Sequence, residues 1–170
     1  MLLNKAILIM VTAGAVLPVV GCQRLDLYGG RADSRRLAFW PKQVVLQPSF
    51  TRIMGKSKND GEQTGKIEVY VQLKDQFGDP VKSLGQFRFE LFRYQPAVSD
   101  PRGQRFLVGG VQQFDLTVAD VNQQYWDSVT LNYRFDLKLP EPVQEIVVQV
   151  TFSSEAELRL QDALVVGGRH

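Results

Sequence analysis

Leu131-Asn132-Tyr133-Arg134-Phe135-Asp136-Leu137-Lys138-Leu139 decides the fold. Apolar and polar side chains alternate along it without a break. Successive side chains of an extended strand point to opposite faces, so this segment has one apolar face and one wet face. A helix would need apolar residues three and four apart, which this pattern lacks. It reads as a half-buried strand.

The same period recurs on both sides. Ile67, Val69, Val71 and Leu73 alternate with Glu68, Tyr70, Gln72 and Lys74. Phe87, Phe89 and Leu91 alternate with Arg88, Glu90 and Phe92. Phe114, Leu116 and Val118 alternate with Asp115 and Thr117. Ile146, Val148, Val150 and Phe152 alternate with Glu145, Val147, Gln149 and Thr151, and Leu158 and Leu160 lead toward Leu164-Val165-Val166. Val44, Leu46 and Phe50 make a weaker first strand, in which Pro48 predicts an edge or a bend. About seven strands with one apolar face each predict an all-β fold, an antiparallel two-sheet sandwich over residues 44–166.

The punctuation fits. Asp75-Gln76-Phe77-Gly78-Asp79-Pro80 is rich in turn formers. Gly55 to Lys66, Gln95 to Gln104 and Pro140-Glu141-Pro142 read as loops. Ala119 to Ser128 reads as a short helical turn crossing between the sheets. Residues 167–170 form a tail, and residues 22–43, with Gly29-Gly30 and four arginines, form a tether. Trp40 is expected to dock on the domain edge.

At the other end of the chain stands an export signal. Lys5 precedes an apolar run from Ala6 to Val20, then Gly21 and Cys22. The run is too short for a confident membrane span. Val19-Val20-Gly21-Cys22 resembles the lipobox of bacterial lipoproteins. The resemblance implies cleavage after Gly21, a covalent lipid at Cys22 and no other cofactor. With Gln23 rather than aspartate next, it implies the outer membrane, with the domain facing the periplasm. Cys22 is the single cysteine, so no intramolecular disulfide forms, and acylation gives it a purpose. More than one acyl chain on one cysteine makes release from the bilayer negligible.

Ile67 to Asp75 followed by Gly78-Asp79-Pro80-Val81-Lys82 is similar to the opening hairpin of transthyretin-like sandwiches, a pattern generic to Ig-like folds. Size, anchor and strand content also resemble the lipoproteins that anchor type VI secretion complexes. No partner-binding residue carries over from them.

Chemistry is sparse. His170 is the single histidine and lies at the C-terminus, so no Ser-His-Asp or Cys-His arrangement is at hand. Zinc and copper sites want several His and Cys ligands. Asp75 and Asp79 flank one turn and read as turn formers rather than calcium ligands. Loss of Lys5 with the signal leaves nineteen basic side chains against eighteen acidic ones, which argues against nucleic acid as a partner. No catalytic or metal residue is therefore expected.

Two candidate sites remain. Tyr70, Phe92 and Tyr94 fall on the polar phase of their strands. If those strands pair across the turn at Asp79, the rings share one outer face fit for a protein partner. Asp120, Tyr125, Trp126 and Asp127 are a candidate shelf for a small ligand or glycan; the competing reading is a tryptophan plug with capping aspartates. The leading expectation is a non-enzymatic, lipid-anchored scaffold or protein-interaction module, bound to the membrane through its lipid.

Overall fold

The computed structural model describes residues 40–54, 65–96, 98–139, 141–154 and 158–167. Among them the chain forms β1 (Gln43–Leu46), β2 (Arg52–Met54), β3 (Lys66–Lys74), β4 (Gly85–Tyr94), β5 (Arg102–Arg105) and β6 (Val111–Leu116). Then follow one short helix, α1 (Ala119–Tyr125), and β7 (Trp126–Asp127), β8 (Asn132–Lys138), β9 (Glu145–Ser153) and β10 (Arg159–Gly167). Two antiparallel five-stranded sheets pack face to face as an all-β sandwich. The first, sheet A, runs β1-β3-β8-β7, with β2 beside β3. The second, sheet B, runs β10-β9-β4-β5, with β6 beside β4.

Alternation produces the core. Ile67, Val69, Val71 and Leu73 point inward from β3, and Tyr133, Phe135 and Leu137 from β8. Phe87, Phe89 and Leu91 face them from β4, and Ile146, Val148, Val150 and Phe152 from β9. The centre is aromatic. Phe87 lies 5.0 Å from Tyr133, 5.0 Å from Phe135 and 4.9 Å from Phe152, and Phe89 lies 4.8 Å from Phe135. Tilted rings at this spacing add to what their burial contributes.

Four sequence expectations change. Ten strands are present among the described residues rather than about seven. β5 takes up residues 102–104 of the stretch expected to be loop. Leu131 does not belong to its strand: its φ is 56° and its side chain is exposed, because it closes the turn into β8.

β3 and β4 do not form a hairpin either. After Lys74 the Asp75–Asp79 turn closes on itself, and the chain crosses to the opposite sheet. The Asp75 carboxylate accepts the amides of Phe77 (2.8 Å) and Asp79 (3.0 Å), and Gly78 takes a φ of 87°. Asp75 is thus committed to its own turn.

The edges of the sandwich are tied by side chains standing in for backbone. Gln112 of β6 donates its amide to the Lys138 carbonyl (2.8 Å) and accepts the Lys138 N–H (2.9 Å). It satisfies the free edge of β8 from the opposite sheet. On the far side Asp162 of β10 accepts the Leu46 N–H (2.8 Å), capping β1. A carboxylate at an edge also discourages another chain from adding a strand there.

The crossing into α1 is fixed by a buried polar cluster. Tyr133 Oη accepts the Ser83 N–H (3.0 Å) and sits 3.1 Å from Asn122 Oδ1, while Asn122 donates to the Ser83 carbonyl (2.9 Å). Burial raises the Tyr133 phenol above its ordinary range; the bonds to Ser83 and Asn122 partly offset this. Trp40 is half-buried and Pro41 buried, so the chain is docked from that point.

Candidate functional site

Tyr70 stands on the outer face of sheet A, beside a gap in that sheet's edge. β1 and β2 both pair with β3 and are separated by an excursion over Gln47–Thr51. Both backbone groups of Tyr70 hold it: the carbonyl accepts the Gln47 N–H (2.9 Å) and the N–H donates to Thr51 Oγ1 (3.2 Å). The excursion folds outward, placing the Phe50 ring 5.5 Å from that of Tyr70. A cleft of about 600 Å³ opens here, with Phe50, Arg52, Glu68 and Tyr70 on one side and Val143 and Leu164 on the other.

Glu68 faces outward yet is only 4% exposed. Arg52 (2.9 Å) and Arg134 (2.7 Å) cover its carboxylate from the neighbouring strands. Burial raises the Tyr70 phenol, the Glu68 charge raises it further, and Arg134 opposes both. An arginine-bracketed carboxylate and a phenol held neutral can fix orientation or shape.

Phe92 and Tyr94 stand on the outer face of sheet B. The shared face expected for the three rings therefore does not form, because β3 and β4 lie in opposite sheets. Cross-strand register shows how their face is graded. Gln86, Ser153 and Asp115 form a polar row at one end, and Phe92 and Val147 an apolar pair near the other. Val147 points outward but is only 1% exposed. The β4–β5 turn folds over this end, where Arg102 donates to Gln149 (2.7 Å) and pairs with Asp100 (2.7 Å). Hydrogen bonds from the Arg102 side chain and backbone hold the exposed Asp100 carboxyl down at about 2. A shallower hollow of about 440 Å³ lies between this turn and β10.

The four residues of the expected shelf do not converge. Asp120 is exposed on α1. Asp127 accepts the Val129 N–H (2.9 Å), and the amides of its own turn keep its carboxyl low. Tyr125 packs on Phe114 (5.7 Å) and Phe135 (5.3 Å). Trp126 meets Tyr133 edge-on at 5.1 Å, and the Lys82 ammonium sits 4.8 Å over its ring. The arrangement is that of a plug with a capped turn.

Sequence reasoning missed the most exposed apolar feature. β5 and β6 both pair with β4 and are separated by Phe106–Gly110. Leu91 holds this excursion by both backbone groups, donating to the Gly110 carbonyl (2.8 Å) and accepting the Phe106 N–H (3.1 Å). Phe106 is buried under the Arg93 guanidinium (4.9 Å). Leu107 is 91% and Val108 81% exposed. Gly109 takes a φ of 68°, and a Cβ on Gly110 would lie 2.0 Å from the Phe106 carbonyl oxygen. The signal was present as Leu-Val-Gly-Gly: apolar residues followed by the glycines of a tight return.

Gly21 and Cys22 lie outside the described residues. Among those residues no group of three or more His, Cys, Asp and Glu gathers as a metal site, and no helix is long and apolar enough to cross a membrane. No family model, curated protein or solved structure matches the chain.

Proposed function

We propose that this chain is a lipid-anchored, non-enzymatic lipoprotein of the bacterial envelope whose sandwich serves as a scaffold or protein-interaction module. The Leu107-Val108 pair carries the reading. A surface loop is ordinarily polar at its tip, and an isolated apolar side chain needs no explanation. Here two adjacent apolar residues are held out by a buried anchor, Phe106, and by both backbone groups of Leu91. An apolar tip on a rigid stem loses little freedom on docking, which favours affinity. The lipobox-like Val19-Val20-Gly21-Cys22 supports the address, outer membrane with the domain toward the periplasm.

Two measurements test this. Cys22→Ser is expected to abolish incorporation of labelled palmitate and to move the protein out of the membrane fraction; unchanged labelling refutes the anchor. A photo-crosslinking residue at position 107 is expected to give a discrete protein adduct in intact envelopes, while the same group at exposed Lys138 gives none. The absence of an adduct at 107 refutes the partner site.

A further inference from the structure

We infer that the end of the sandwich from which the tether leaves lies against the bilayer and inserts apolar loop tips at its surface. The inference rests on the lipid-anchor reading and adds an orientation to it.

The topology gathers the tips. β3 finishes, and β4 and β8 begin, at one end of the sandwich, where β6 also finishes. The connections there present Phe77 (68% exposed), Leu84 (49%), Val118 (59%), Val129 (90%) and Leu131 (45%). They come from three connections, those between β3 and β4, β6 and α1, and β7 and β8, so no single strand pattern accounts for them. Turns of this kind are ordinarily built from Gly, Asn, Asp and Ser. Leu131 shows the choice most plainly. Its φ of 56° is a conformation that asparagine or glycine adopts with less strain, and its side chain is not buried in return. Strain held at an exposed apolar residue points to use of that side chain outside the fold.

The occupant follows from where the chain comes from. β1 begins at this same end, with the Lys42 N–H bonded to the Lys74 carbonyl (2.7 Å). From there the chain runs back to Cys22, and bond geometry limits that stretch to about 70 Å. A surface within such a tether's reach is met at a high effective concentration, so even weak insertion is populated. The exposed charges around the tips are of both signs, Lys42 and Lys82 with Asp79 and Asp120. Attraction to anionic headgroups is therefore not the driver; burial of apolar tips in the headgroup–acyl boundary is. The Leu107-Val108 tip then stands clear of the surface, beside Leu91 of β4. From Gly85 to Leu91 the strand rises about 20 Å.

The test uses the acylated chain reconstituted into phosphatidylethanolamine vesicles. Cys22 is its single native cysteine, so an environment-sensitive fluorophore can be placed at Val129→Cys or Leu107→Cys alone. Both sites are over four-fifths exposed, so neither substitution disturbs the core. At 129 the emission is expected to shift to the blue and to be quenched by brominated acyl chains, while at 107 it stays water-like. Equal, water-like signals at both sites overturn the orientation and leave the anchor standing, because palmitate labelling at Cys22 reads the anchor separately. A shift at 129 that needs an added envelope protein assigns the surface to a protein and also overturns it. A second variant, Phe77→Asp with Val129→Asp, is expected to lower the bromolipid quenching of a fluorophore at Leu84→Cys by about tenfold while the lipid keeps the chain on the vesicle. Undiminished quenching there overturns insertion by these tips.

Discussion

Each sheet ends on one side in a strand that breaks in the middle, and the two breaks hold opposite chemistry. In sheet A the chain leaves the edge at Gln47 and returns at Thr51; in sheet B it leaves at Phe106 and returns at Gly110. In both, one residue of the neighbouring strand holds the mouth of the excursion with its N–H and its carbonyl. In sheet A that residue, Tyr70, is on the outward phase, and a threonine side chain supplies one acceptor. The excursion can then lie back over the sheet and wall a cleft. In sheet B the residue is Leu91, on the inward phase, and both bonds are backbone to backbone. Phe106 turns into the core, and the remaining apolar residues have nowhere to go but outward. The phase of one residue thus separates a folded-back edge from a projecting one.

Exchanging each of the two phenylalanines for alanine should separate the edges most strongly. Phe106 is 5% exposed and Phe50 44%. Phe106→Ala removes a buried anchor and leaves a cavity, which should cost about 3 kcal/mol or more. Phe50→Ala removes a half-exposed ring and should cost about 1 kcal/mol or less. Urea midpoints measure both. Equal losses would mean that the sheet A excursion is as deeply built in as its counterpart.

How much of this was legible in the sequence depends on burial on one face. β3, β8 and β9 were legible because each hides an apolar face and wets the other. β5, Arg102-Gly103-Gln104-Arg105, contains no apolar residue. It is a strand only because β4 offers it an edge, and no local pattern records that. Alternation also placed Tyr70, Phe92 and Tyr94 correctly on outward phases. It could not assign them to sheets, because period two fixes the face of a strand and not its neighbours. The Asp75 turn looked like a hairpin for the same reason. Its bonds are local to Asp75–Asp79, while the chain's destination is set by Tyr133 and Asn122 gripping Ser83 from far along the sequence.

A smaller effect is expected at the mouth of the sheet A break. Thr51→Val keeps the shape and removes the acceptor of the Tyr70 N–H. A backbone donor left short of a partner costs about 1 kcal/mol. The same variant should loosen the Phe50–Tyr70 contact and leave Phe106 unmoved, which amide and ring chemical shifts would report. A shift spreading to Phe106 would show that the two edges are coupled through the core rather than built separately.

The smallest expected effect is one of pH, and it divides the edges by sign. Burial raises the Glu90 carboxyl, but hydrogen bonds from Arg105 and Arg88 outweigh it, and the net position is below the ordinary carboxylate range. Asp115, bonded to Thr117, is lowered too, and Asp100 lies at about 2. All three sit on the β4, β5 and β6 side of sheet B. A carboxyl lowered by folding contributes stability that is full above its unfolded value, about 4, and is lost as pH falls through the folded one. The Tyr70 phenol is raised, so its contribution is full below about 10 and is lost as pH rises beyond that. Acidification from about pH 4 toward 2 should therefore loosen the Phe106 edge first, seen as loss of the Phe106 amide signal before that of Gln47. Alkali should act on the other edge, where Tyr70→Phe removes one high-pH step from the tyrosinate absorbance. If both edges respond together to acid, the ion pairs around Glu90 do not act locally, and the sheet B break owes its form to Phe106 and its glycines alone.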